Sequence, residues 1–235
     1  GYFMAVPWRD IIVMRQLLNA RQGLFHEFTH QVLHQEAGRY PAWFNEGAAE
    51  YYSTMRRVKT GVEVGASDPG RVASLRRGPW LPISYLLSAG AVADLNSQQA
   101  AYAFYAQSWL FVHMLHLAPA YRDRLAEFRV LLRDGVPTEQ ALRQVYAKSL
   151  VEFDDDARQW FKQGRLPTRQ LPLEPPAKAE VRIEVIGEAE VDLARATVAA
   201  SRPGKSTASA DYLRLSRSLG GKCDLAAALG ALAFP

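Results

Sequence analysis

Cysteine is nearly absent from this chain: one thiol, Cys223, stands among 235 residues. A single cysteine excludes an intrachain disulfide and a cysteine-based zinc site. Its rarity suits a cytosolic protein, but bacterial envelope proteins are often as poor in cysteine. The compartment therefore stays open, with the cell envelope or secretion favoured over the cytoplasm. No apolar run approaches the roughly 20 residues that a membrane-spanning helix needs. A dense basic and aromatic stripe is also lacking. Lys and Arg number 28 against 24 Asp and Glu, and the basic residues are scattered in short pairs such as Arg56-Arg57 and Arg76-Arg77. Nucleic acid is thus not an expected partner, and the net charge of +4 serves solubility, with weak attraction to anionic surfaces. No basic and apolar leader is legible at the start. The sequence opens on Gly1-Tyr2-Phe3 and closes on Leu232-Ala233-Phe234-Pro235, which reads as a piece of a longer protein.

What the chain does have is His26-Glu27-Phe28-Thr29-His30. On a helix, residues four apart share a face and lie about 6 Å apart along the axis, so both imidazoles can reach one metal ion. Glu27 points roughly 100° away around the helix. It is poorly placed as a third ligand but can lean over a metal-bound water. This is the zinc-peptidase spacing, and chance supplies about 0.006 such matches in a chain of this composition. Taken alone, the pentapeptide also suits a surface helix with two unpaired histidines. A catalytic zinc takes three protein ligands and leaves a fourth position to water. The third ligand is expected from Pro41-Ala42-Trp43-Phe44-Asn45-Glu46-Gly47, where a second apolar helix begins after a break bracketed by Gly38 and Pro41. The 15 residues between His30 and Glu46 suffice to reverse direction and set two helices antiparallel.

The pair formed by His26–His30 and Trp43-Phe44-Asn45-Glu46-Gly47 resembles the gluzincin metallopeptidases. It is similar to the aminopeptidase-N-like enzymes and closer to the bacterial peptidase-MA-like domains, and the likeness runs from about Gly1 to about Ala118. The resemblance implies a zincin-like catalytic domain, Zn²⁺ as cofactor, and His26, His30 and Glu46 as its ligands. It also implies an oxyanion role for Tyr105, in Tyr105-Ala106-Gln107-Ser108. That tetrapeptide departs from the aminopeptidase pattern by carrying Gln and Ser where Lys and Gly stand. Tyr102 and Tyr105 are otherwise packing aromatics. The Gly-x-Met-Glu-Asn signature of aminopeptidases is missing, so endopeptidase action is expected over exopeptidase action. Glu50, one turn beyond Glu46, is a candidate partner for a ligating histidine or a solvated carboxylate. Asn45 reads as a capping or packing residue and His34 as a partly exposed helix residue. His113 and His116 read as packing histidines, with His113 a remote candidate for substrate contact.

Pattern along the chain predicts an α+β, mostly helical protein with a small N-terminal β element and a helical C-terminal half. A strand is expected over Asp10–Arg15, the metal helix over Gly23–Glu36, its neighbour over Ala42–Met55 and a hairpin over Val58–Gly65. Asp68–Trp80 reads as a polar loop with solvent-facing arginines that could line the cleft. Leu81–Leu87 reads as a short apolar element, and helices are expected over 98–118, 120–134, 137–148 and 150–163. The domains follow as a catalytic part over 1–165, a proline-rich linker over 166–179 and a small helical appendage over 180–235 available to contact a protein partner. The expected function is zinc-dependent hydrolysis of peptide bonds in a peptide or protein substrate, with Glu27 as general base. The alternative is a catalytically silent zinc-containing scaffold. Against it stand the intact Glu27 and the lack of a fourth protein ligand.

Overall fold

The computed structural model describes residues 2–6, 9–13, 20–36, 39–88, 95, 97–173 and 187. Two compact units divide the chain between Pro175 and Pro176, and the elements below all belong to the first. The expected appendage over 180–235, with Cys223, lies outside the described residues apart from Gly187.

A hairpin opens the fold. Strands β1 (Tyr2–Val6) and β2 (Arg9–Val13) pair antiparallel with Met4 opposite Ile11. Helix α1 (Ala20–Gln35) follows, then α2 (Ala42–Ser53), begun by Pro41 in extended conformation. Pro41 fits there because an N-cap needs no helical φ/ψ and the chain must turn. Helix α2 is buried on most of its surface, with Trp43, Phe44, Ala49 and Tyr51 almost fully excluded from water.

Helix α5 (Gln98–Leu117) is the central rod, and Ser97 caps it by accepting the Ala100 N–H at 3.1 Å. From Ala103 to Leu115 every residue except Tyr105 is buried, so this helix is apolar all round and packed on all sides. Gly47 is what lets α2 lie against it. A Cβ there would run into the Ser108 carbonyl and stand 2.7 Å from Val112 Cγ2. Backbone contact at this point brings Glu46, one residue earlier, close to Tyr105. Gln107 is an internal clasp, not a chemical group: its amide accepts from Leu81 N–H at 2.7 Å and donates to Leu81 O at 3.1 Å.

The stretch Asp68–Trp80, expected as a loop, forms helix α3 (Pro69–Arg77). Asp68 accepts the Arg71 N–H at 2.9 Å, and Pro69 occupies the first turn, where a missing N–H costs nothing. Helix α4 (Ile83–Ser88) is short. The helix expected over 120–134 is two, α6 (Pro119–Arg122) and α7 (Leu125–Arg133), separated at Asp123 and Arg124. Helix α8 (Thr138–Tyr146) ends at Ala147 in the left-handed region, and α9 (Leu150–Lys162) starts with a capping box between Ser149 and Glu152. Trp43 donates to Thr138 Oγ1 at 3.0 Å, joining α2 to α8 through the core.

Strands β3 (Arg56–Val58), β4 (Gly61–Val64) and β5 (Arg169–Leu171) form an antiparallel sheet in that order, with Val62 opposite Leu171. Three residues of the stretch expected as a linker over 166–179 thus form a strand, and the boundary between the two units also falls within that stretch. The four prolines suggested a structureless run, but they flank 169–171 and leave its N–H groups free to pair. Gly61, at φ +149°, has no room for a Cβ beside the Leu171 carbonyl. The fold is α+β and mostly helical, as the pattern indicated.

Candidate metal centre

Helix α1 presents His26 and His30 side by side, with ring centroids 4.8 Å apart and planes nearly perpendicular. Glu46 enters from α2. His26 Nε2 lies 3.1 Å from His30 Nε2, and Glu46 Oε2 is 3.5 Å from each. A tetrahedral zinc with bonds of about 2.0–2.1 Å separates its ligand atoms by about 3.3–3.4 Å. The triad therefore has the dimensions of three corners of such a site.

The protons point the same way. His30 Nδ1 lies 3.1 Å from Asn45 Oδ1, an amide oxygen that can only accept, so Nδ1 carries the proton. His26 Nδ1 lies 3.3 Å from the Glu50 carboxylate and must likewise donate. In the neutral rings both Nε2 atoms then carry lone pairs, and these aim at each other and at Glu46 Oε2. That oxygen is buried and has no hydrogen-bond donor among the described residues. Three converging acceptors repel one another unless a cation sits between them. Burial alone would lower the His26 pKa, yet Glu46 and Glu50 outweigh it and raise it to about 9. Burial alone would raise Glu46, yet the two imidazoles hold it near 2. The centre stabilises positive charge, and His26, His30 and Glu46 fit a divalent metal.

Behind the triad stands a second layer. Glu50 is buried, and Arg71 grips it with two hydrogen bonds, Nε at 2.8 Å and a terminal nitrogen at 2.6 Å. Of the two readings left open for Glu50, the structure shows the histidine partner and not the solvated carboxylate. The Arg71 guanidinium also lies 4.8 Å from the centroid of the Tyr105 ring. Asp68, which caps α3 at Arg71, accepts from Gln22 Nε2 at 3.1 Å and so ties α3 to α1.

Glu27 is buried beside the histidines and lines the same cavity of about 540 Å³ as His26, His30, Glu46 and Tyr105. The Tyr105 ring lies 6.4 Å from that of His26. Burial, then the charges of Glu46 and Glu50, push its phenol well above the usual tyrosine range, so it stays a proton donor.

Two residues part from their expected places, and His113 keeps the packing role read from the sequence. Asn45 is neither cap nor packing residue: Pro41 holds the cap, and Asn45 orients His30. Tyr102 is exposed and bonded to Gln98, away from the cavity. His113 is wholly buried in the α5 core, where no substrate reaches it. Arg71, one of the Asp68–Trp80 arginines expected to face solvent or line the cleft, instead holds Glu50 behind the triad. No protein-family model matches this sequence, and searches of curated proteins and of solved structures return no match either.

Proposed function

We propose that this protein is a zinc-dependent endopeptidase of zincin-like architecture. The observation that carries the reading is the convergence of His26 Nε2, His30 Nε2 and Glu46 Oε2 at tetrahedral spacing, in a cavity that Glu27 also lines. A zinc ion held there supplies Lewis acidity and makes water nucleophilic near neutral pH.

The chain's own groups supply the rest. Glu27 accepts a proton from the attacking water and returns it to the leaving amine. Tyr105, kept protonated, donates a hydrogen bond to the oxygen on which negative charge develops. Asn45 and Glu50 hold the two imidazoles in the tautomer that leaves Nε2 free. Phe3 of β1 belongs to the cavity wall, so an extended substrate lies along strand backbone able to pair with it. Apart from Glu27 and Glu46, no carboxylate lines the cavity among the described residues. No further carboxylate anchor for a free amino terminus stands among these residues, in keeping with cutting within chains.

The test pairs metal content with a peptide-library digest. Wild type is expected to hold about one zinc per chain and Glu46→Ala to lose it. Glu27→Gln is expected to keep the metal and lose turnover. Full turnover in Glu27→Gln would sink the mechanism, and a zinc-loaded wild type that cuts nothing in a broad library would make the domain a scaffold.

A further inference from the structure

The cavity continues past the triad, and its far end has a different chemistry. His34 lies one turn beyond His30 on α1, roughly 6 Å along the axis. Around it the wall is made by Phe3, Leu33 and Tyr40, with Arg39 beside them. Tyr40 is fixed: its ring stacks on Phe44 at 5.0 Å, and its hydroxyl donates to Glu36 at 2.5 Å. Glu36 is also bonded to Arg129 at 2.7 Å, so the nearest acid is already engaged. The backbone N–H of Arg39 donates to Arg133 O at 3.2 Å, which anchors the residue to the last turn of α7. Arg133 pairs with Asp134. The Arg39 side chain is exposed, and no described residue gives it a carboxylate.

A charge count of the walls indicates the ligand. Among the described residues, the charged side chains lining the cavity are Glu27 and Glu46 against Arg39. This step rests on the proposed zinc site: a divalent ion at the triad occupies Glu46, and Arg39 is left with no carboxylate among the described residues. We infer that the far end of the cavity is a subsite for a substrate carboxylate, gripped by Arg39 against the aromatic wall of Tyr40 and Phe3. A guanidinium is suited to this because its fork meets both carboxylate oxygens at once. An extended peptide advances about 3.4 Å per residue, so the acid sits roughly two or three residues from the bond that is cut. An Asp or Glu side chain and a free C-terminal carboxylate offer the same chemistry.

The experiment measures binding of fluorescein-labelled peptides to the full, zinc-loaded Glu27→Gln protein. Peptides come in sets differing by Glu against Gln at one position, each with a free and an amidated C-terminus. The Glu peptide is expected to bind roughly tenfold more tightly at one position. Arg39→Gln should erase that advantage, Arg39→Lys should keep part of it, and Arg39→Glu should transfer it to a Lys peptide. An advantage that survives amidation belongs to a side chain, and one that amidation removes belongs to a chain end. Equal binding of the Glu and Gln sets, no measurable binding of either, or an advantage that persists in Arg39→Gln overturns the subsite. Wild-type hydrolysis of the same peptides keeps the two ideas apart. Cleavage without acid preference sinks the subsite alone. Acid-selective binding without cleavage sinks the peptidase reading alone.

Discussion

Two histidine pairs stand on two helices of this protein, and their surroundings are opposite. On α5, His113 donates from Nε2 to the carbonyls of Gly65 and Pro167, both at 3.1 Å, and accepts from Trp160 at Nδ1 at 2.9 Å. His116 donates from Nδ1 to Val112 O at 2.9 Å and accepts from the Tyr52 hydroxyl at 3.3 Å. All four nitrogens have protein partners, and burial pushes both rings down to about 4 despite those bonds. On α1 only the two Nδ1 atoms have partners fixed by the fold. The two Nε2 atoms face each other and a carboxylate, and His26 is raised to about 9. Burial is common to both pairs, so it does not separate them. What separates them is whether the second nitrogen finds a donor or is left with acceptors that a proton or a metal ion must reconcile.

Replacement of one member from each pair gives the largest contrast. His26→Ala is expected to weaken zinc binding by at least about 10³-fold, beyond the 10–100-fold typical of losing an outer partner. His116→Gln is expected to leave zinc stoichiometry unchanged. Chelator competition reads both, and equal zinc loss in the two variants would erase the distinction drawn between the pairs.

Acid should act on the α5 pair and on His26 with opposite sign, and metal-free protein in excess chelator reveals it. For His113 and His116 the folded value, about 4, lies below the ordinary 6.5. Above 6.5 neither state binds the proton. As pH falls from 6.5 to 4 the unfolded chain takes up protons that the folded chain refuses, so stability is lost, on the order of 3 kcal/mol per histidine. His26 works the other way. Its contribution is fully present below 6.5 and lost as pH rises through about 9. Zinc needs the neutral ring, so adding it should abolish the alkaline loss. Denaturant midpoints across this range check both slopes, and His116→Gln should flatten the acid one.

This contrast was only partly legible in the sequence. The spacing of His26 and His30 is a local property of one helix, so a helical period suffices to place them on one face. Glu46 was readable because Gly38 and Pro41 mark a reversal and because Trp43-Phe44-Asn45-Glu46-Gly47 resembles the gluzincin third-ligand stretch. The polar residues that orient the rings were not. Asn45 precedes Glu46 by one residue on the same helix, yet Asn45 faces His30 Nδ1 and Glu46 faces Nε2, and periodicity does not say what faces each of them. Arg71 meets Glu50 across 21 residues of sequence, and no spacing rule encodes a tertiary salt bridge. Helix α3 was missed because only Leu75 of its nine residues is buried. It has no apolar stripe, and its capping signal is overlaid by Gly70 and the flanking prolines.

The outer layer gives a smaller effect. Arg71→Met leaves Glu50 buried without its cation and removes the platform beneath Tyr105. Zinc affinity is expected to fall about 10–100-fold. Arg129→Met breaks the ion pair to Glu36, remote from Glu50, and should leave zinc affinity alone. A drop in melting temperature without a change in zinc affinity in Arg71→Met would reduce Arg71 to a packing residue.

The smallest effect probes the other pair. Trp160→Phe keeps most of the ring volume beside His113 but deletes the N–H that Nδ1 accepts. The lost bond leaves a buried acceptor, at a cost of about 1–3 kcal/mol. The Nε2 bonds to Gly65 and Pro167 do not change, so the neutral tautomer has no reason to switch. Zinc content should therefore stay at the wild-type value while the urea midpoint falls. Had the α5 histidines served as a reserve of metal ligands, freeing Nδ1 would add a second zinc. Stoichiometry in Trp160→Phe, measured beside wild type, separates the two outcomes directly.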